Sequence, residues 1–90
     1  MLNVSEQIVK DLIDQGVNTF FGVQGGACAR IIENVVKYKG KFLPVLNEQT
    51  AGFYAHGYHL ATNKTAGLIF TTGPGLTNGL SGIAACYYDR

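Results

Sequence analysis

Three short apolar runs alternate with longer helix-patterned stretches along this chain, and that alternation constrains the fold more than any other feature. Asn3 suits a helix N-cap, with Glu6 three residues on as its capping-box partner. Val4, Ile8, Leu12 and Ile13 recur at helical spacing, and Gly16 suits the position just past a helix end. A first helix is therefore expected from about Val4 to about Gln15. Thr19 to Val23 (TFFGV) is rich in strand formers and is broken by Gln24-Gly25-Gly26. Cys28 to Tyr38 reads as a second helix, with Ile31, Ile32, Val35 and Val36 on its buried side. Lys41 to Leu46 is the second strand, where Pro44 argues against a central position and suits an edge or a bulge. Asn47 can cap a third helix from Glu48 to about Thr62. Ala66 to Thr71 is the third strand, and a Gly-Pro-Gly turn leads to a fourth helix from Thr77 to about Tyr88.

Strands that alternate with helices imply an α/β fold with a parallel sheet and right-handed crossovers. The strands are almost continuously apolar, as a sheet covered on both faces requires, which gives a three-layer α/β/α arrangement. Gln24 to Gly26, Asn47-Glu48 and Thr72 to Gly75 would all leave the carboxyl ends of strands, the edge where open parallel sheets bind ligands. Three strands make a small sheet with long exposed edges, so the 90 residues are expected to be part of a larger domain.

Composition narrows the function. At 47% hydrophobic and 14% charged, the chain is too apolar for disorder, and its low charge suggests that more protein covers much of its surface. With a net charge of +1 and no basic cluster, a nucleic-acid partner is not expected; Lys37, Lys39 and Lys41 around Gly40 read as a solvated turn. Cys28 and Cys86 form no metal or redox spacing, and nothing completes a zinc site around His56 and His59. No signal peptide or membrane span is visible, and the cysteines suit a reducing compartment, so a cytoplasmic location is expected.

Glu48 is the candidate catalytic residue. A carboxylate where an apolar strand gives way to a helix of small residues is an odd structural choice, although an acid in a first helical turn also favours the helix dipole. Phe21-Gly22-Val23-Gln24-Gly25-Gly26-Ala27 resembles the FGVPGGA segment of thiamine-diphosphate enzymes of the acetolactate synthase type. Glu48-Gln49-Thr50-Ala51 with Ala55-His56-Gly57-Tyr58 resembles their E-x-x-A-x-x-x-A-D-G-Y-A-R helix. Thr72-Gly73-Pro74-Gly75-Leu76-Thr77-Asn78, then Gly82-Ile83-Ala84 and Tyr88-Asp89, resembles their T-S-G-P-G-x-T-N…G-I-A…Y-x-D stretch. Three motifs in register span nearly the whole chain.

The resemblance implies the N-terminal part of a pyrimidine-binding domain over residues 1–90, with thiamine diphosphate as cofactor. It assigns Glu48 to N1′ of the aminopyrimidine, favouring the imino form that removes the thiazolium C2 proton. Gly25 and Gly26 would allow close backbone approach to cofactor and substrate, and Pro74 and Asn78 would line the pyrimidine pocket. Mg²⁺ and the diphosphate belong, in the family, to a separate domain with a Gly-Asp-Gly…Asn motif, and no Gly-Asp-Gly occurs here. The complete protein is expected to be a transferase or lyase acting on a 2-keto acid, with acetolactate synthase-like carboligation ahead of decarboxylation, in a homodimer or homotetramer. The 90 residues alone are expected to be inactive.

The departures from the family pattern also carry information. Gly26 stands where pyruvate decarboxylase-type enzymes often have Asp, and Gln24 replaces the usual proline. His56, His59 and Leu60 replace an Asp, an Ala and an Arg, and the two histidines are expected at a surface or interface. Gly52, Gly57, Ala51, Ala55 and Ala61 make the third helix slim enough for close helix approach, in a region that packs at the dimer interface in the family. Tyr54, Tyr58, Tyr87 and Tyr88 read as packing or interface aromatics. Two other readings stay open: a non-catalytic module that serves partner binding or assembly, and a small Rossmann-like phosphate binder using Gln24–Gly26.

Overall fold

The computed structural model describes residues 2–89, with the side chain of residue 89 left aside. Its elements are α1 (Val4–Asp14), β1 (Thr19–Gly22), a 3₁₀ turn (Gly26–Cys28), α2 (Ala29–Lys37), β2 (Lys41–Pro44), α3 (Glu48–Thr62), β3 (Gly67–Ile69) and α4 (Pro74–Asp89). The strands form one parallel sheet in the order β2-β1-β3. Phe21 lies opposite Leu43 on one side and Leu68 on the other, so β1 is central and buried along its whole length. Pro44 ends the edge strand β2 opposite Gly22, where its missing N–H costs no ladder bond to a further strand.

The two adjacent phenylalanines of β1 point to opposite faces and organise two cores, as the strand period requires. Phe20 packs with Val9, Cys28, Val35 and Ile69 beneath α1 and α2. Phe21 packs with Ala51 and Ala55 of α3, flanked by Tyr58, Leu68 and Phe70. The layers are α1/α2, sheet and α3, with α4 laid against α3, and the α/β/α expectation holds.

Several helix ends follow their local signals. Asn3 Oδ1 accepts from the Glu6 N–H at 2.9 Å, and Asn47 Oδ1 accepts from the Gln49 N–H at 2.8 Å. Gly16, at φ +94°, donates to Ile13 O while Val17 donates to Leu12 O, a complete Schellman motif. The same motif ends α2, but there the left-handed residue is Lys39, at φ 67°.

Other expectations need correction. α4 starts at Pro74, not Thr77, because proline's fixed φ and missing N–H suit the first helical position; only Thr72-Gly73 remains as a turn. α2 starts at Ala29, after the 3₁₀ turn that contains Cys28. The strands are shorter than their apolar runs: Val23 and the 45–46 pair lie beyond the ladders, and β3 covers only Gly67–Ile69. Val4 is 77% exposed and Ile8 48%, because the face of α1 turned to the sheet is centred on Val9, with Leu12 and Ile13 beside it. Val36 is 65% exposed, one step round α2 from the fully buried Val35.

α3 and α4 meet backbone to backbone. A Cβ on Gly52 would stand 2.5 Å from Gly82 Cα, and the reverse substitution meets the same limit. The slimness expected of α3 is therefore used against α4 of the same chain at Gly52 and against Phe21 of β1 at Ala51 and Ala55, whereas Gly57 and Ala61 stay exposed. Tyr54 and Tyr58 set their rings against Phe21 at centroid distances of 5.9 and 6.1 Å, which bears out a packing role. Tyr87 and Tyr88 remain exposed and stack edge-on with each other.

Candidate functional site

The parallel sheet sends the chain out of β1, β2 and β3 at the same edge, and this brings separate motifs together. Glu48 opens α3 directly after its Asn47 cap. Asn78 lies just over one turn inside α4, and its Nδ2 donates to Glu48 Oε1 at 2.7 Å. Asn78 Nδ2 also reaches Asn47 Oδ1 at 3.4 Å, and Asn78 Oδ1 accepts from Gln49 Nε2 at 3.1 Å. The crossing at Gly52 and Gly82 makes this possible, because α4 lies close enough for a short amide side chain to reach the start of α3.

Beside the carboxylate, two glycines pack where a side chain would not fit. A Cβ on Gly75 would stand 2.8 Å from Thr71 Cγ2 and 3.6 Å from Glu48 Oε2. A Cβ on Gly25 would stand 3.1 Å from Thr71 Cβ. Gly25 and Gly75 therefore both pack against Thr71, and Gly75 also lies beside Glu48. Gly26 faces open space, since a Cβ there would meet nothing within 4 Å, so it leaves the backbone approachable without touching the group. Pro74 is exposed at the first position of α4, next to Gly75.

The Asn78 amide holds the Glu48 carboxyl below its ordinary value of 4.5, supported by the N–H of Glu48 itself, while burial acts weakly the other way. The chain thus presents an ionised carboxylate with one oxygen engaged by Asn78 and the other over Gly75. An ionised carboxylate only accepts hydrogen bonds, so its free oxygen can receive one from a protonated ring nitrogen.

Thr71 is legible in the sequence only as the end of a strand, yet it is the wall between both glycines. Gln49 carries no sequence signal either, since its contact depends on where α4 crosses. His56 and His59 fall elsewhere, lining an apolar surface hollow of about 400 Å³ with Leu60, Leu68, Ile83 and Cys86. His59 Nδ1 lies 3.2 Å from Lys64 O. Among the described residues, no three His, Cys, Asp or Glu side chains gather as a metal site, and no helix is long and apolar enough to cross a membrane.

The chain belongs to the thiamine pyrophosphate enzymes: the family described as "Thiamine pyrophosphate enzyme, N-terminal TPP binding domain" matches residues 2–90. It is 40% identical over 90 residues to an acetolactate synthase large subunit of Buchnera aphidicola subsp. Acyrthosiphon pisum, covering 99% of this chain and 16% of that protein. The acetolactate synthase isozyme 3 large subunit of Escherichia coli K12 is also 40% identical over 90 residues, with the same coverage. A sulfoacetaldehyde acetyltransferase of Castellaniella defragrans is 32% identical over 84 residues, covering 93% of this chain and 14% of that protein. The chain therefore spans about one sixth of the length of the acetolactate synthase relatives.

Proposed function

We propose that this chain supplies the aminopyrimidine side of a thiamine-diphosphate-dependent enzyme acting on a 2-keto acid, with Glu48 as the carboxylate that addresses the ring. The observation that carries this reading is the Glu48 carboxylate, oriented by Asn78 at 2.7 Å, with Oε2 beside the side-chain-free Gly75. Glu48 would hold the ring nitrogen through Oε2, while Gly25, Gly26 and Pro74 let the cofactor lie close to the backbone. Asn78 completes the wall. Bound thiamine diphosphate supplies the electron sink that decarboxylation or carboligation of a 2-keto acid needs. The chain's own part is to fix a carboxylate where it can share a proton with the ring.

Mg²⁺ does not fit the described residues, which gather no acidic cluster. The metal and the diphosphate are assigned to a diphosphate-binding domain of the same or another chain. Carboligation of the acetolactate synthase type is the first choice of reaction, supported by the names of the relatives, and decarboxylation or lyase chemistry is the second. A homodimer or homotetramer is proposed. Leu76, Leu80, Ile83 and Tyr87 support it, since they recur at four-three-four spacing along α4 and are all exposed. Two free cysteines support a cytoplasmic setting.

The test is Glu48→Gln in the complete enzyme. Turnover is expected to fall about 100-fold or more while cofactor affinity changes little, the pattern of a lost proton-transfer group. Unchanged turnover would favour a non-catalytic module instead.

A further inference from the structure

Glu48 is gripped by a chain of two amides. Gln49 Nε2 donates to Asn78 Oδ1 at 3.1 Å, and Asn78 Nδ2 donates to Glu48 Oε1 at 2.7 Å. A primary amide has one accepting end and one donating end. With Gln49 donating to its carbonyl, Asn78 can turn only its amino group to the carboxylate. In the opposite orientation its carbonyl would face a carboxylate oxygen, acceptor against acceptor. The second hydrogen of the same amino group points to Asn47 Oδ1 at 3.4 Å. Three consecutive residues at the start of α3 therefore engage both donors and the acceptor of one side chain from α4, which leaves Asn78 little capacity for a ligand of its own.

We propose that Asn78 and Gln49 are positioning residues for Glu48: Asn78 aims the carboxylate by binding Oε1, and Gln49 fixes which way the Asn78 amide faces. This rests on the catalytic reading of Glu48 given above. Oε2 is thereby left as the oxygen that meets the bound ring. The lowered Glu48 pKa, for which the Asn78 hydrogen bond is the largest cause, agrees with this geometry. The Gln49 amide bonds Asn78 and so reaches Glu48 through it.

The experiment uses Asn78→Leu and Gln49→Met in the complete protein, with Glu48→Gln as reference. In the cofactor-free protein, ¹³C-glutamate NMR follows the carboxyl signal that Glu48→Gln removes. Its titration midpoint is expected to rise in Asn78→Leu, and to rise by less in Gln49→Met, because each loses part of the hold on the ionised form. With cofactor bound, the acid limb of the pH–rate profile should move in the same direction. A misaimed group lowers kcat by about tenfold, with KM for cofactor nearly unchanged. A Gln49→Met protein that keeps the wild-type midpoint and pH profile overturns the proposal. So does a loss of thermal stability in both variants with no movement of the midpoint, which would mark the amides as structural only. If Glu48→Gln itself left turnover intact, the catalytic reading would fail, while the NMR titration would still decide whether the amides hold the carboxylate.

Discussion

Placing a methyl group on Gly52 should disturb both the fold and the site. Its Cβ would stand 2.5 Å from Gly82 Cα and 2.9 Å from Gly82 C, both backbone atoms that cannot swing aside. Restoring ordinary contact requires α3 and α4 to part by about 1 Å. Overpacking of this kind costs about 1–3 kcal/mol, and the gain from replacing glycine by alanine inside a helix is about 1 kcal/mol. Gly57 is the internal control: it lies on the same helix, and a Cβ there meets nothing within 4 Å. The two alanine variants share the propensity gain, so their difference isolates the steric cost. Equilibrium denaturant unfolding should place Gly57→Ala above wild type by up to about 1 kcal/mol, and Gly52→Ala about 1–3 kcal/mol below Gly57→Ala. The same separation acts on the Asn78–Glu48 bond, which starts at 2.7 Å and would be carried past hydrogen-bonding distance. Equal stability of the two variants would refute the backbone contact as the determinant of the α3–α4 crossing.

Lys39→Gly should stabilise the protein by about 1 kcal/mol, since Lys39 holds a left-handed φ of 67° that glycine adopts freely; thermal unfolding at matched pH checks it, and a loss would contradict the end of α2. Glu6 bonds Lys37 Nζ at 2.8 Å and the Tyr38 hydroxyl at 3.0 Å, and these bonds hold its carboxyl below 4.5 and Lys37 above 10.5. The stability they contribute is fully present between those two values. It is lost as pH falls through the lowered Glu6 pKa or rises through the raised Lys37 pKa, so the Tm gap between wild type and Glu6→Gln should narrow at both extremes. Gly75→Ala puts a methyl 2.8 Å from Thr71 Cγ2, and calorimetric titration of the complete enzyme should show cofactor affinity lowered by about tenfold; unchanged affinity would remove Gly75 from the proposed cofactor site.

Local chemistry makes much of this molecule readable in advance. The Asn3 and Asn47 caps and the Gly16 terminus depend on neighbours a few residues away, and each stands where its pattern places it. The edge position of β2 follows from Pro44 in the same way. Pro74 shows the limit of a local signal: a proline marks a turn or a first helical residue equally well, and here it begins α4. The faces of α1 and α2 are legible only within one step of rotation, since Val4, Ile8 and Val36 are as apolar as the residues that are buried.

The sequence by itself determined the alternating α/β order, the three rim loops and the placing of Glu48 at the start of α3, because these rest on backbone preferences that act over one or two turns. Tertiary structure alone decided what Glu48 touches. Thr71 reaches the site because β3 pairs with β1, and Asn78, 30 residues from Glu48, reaches it because two glycines let α3 and α4 cross with backbones in contact. No period or motif encodes that distance. It is set by the absence of side chains at Gly52 and Gly82, whose consequence appears only when the two helices are packed.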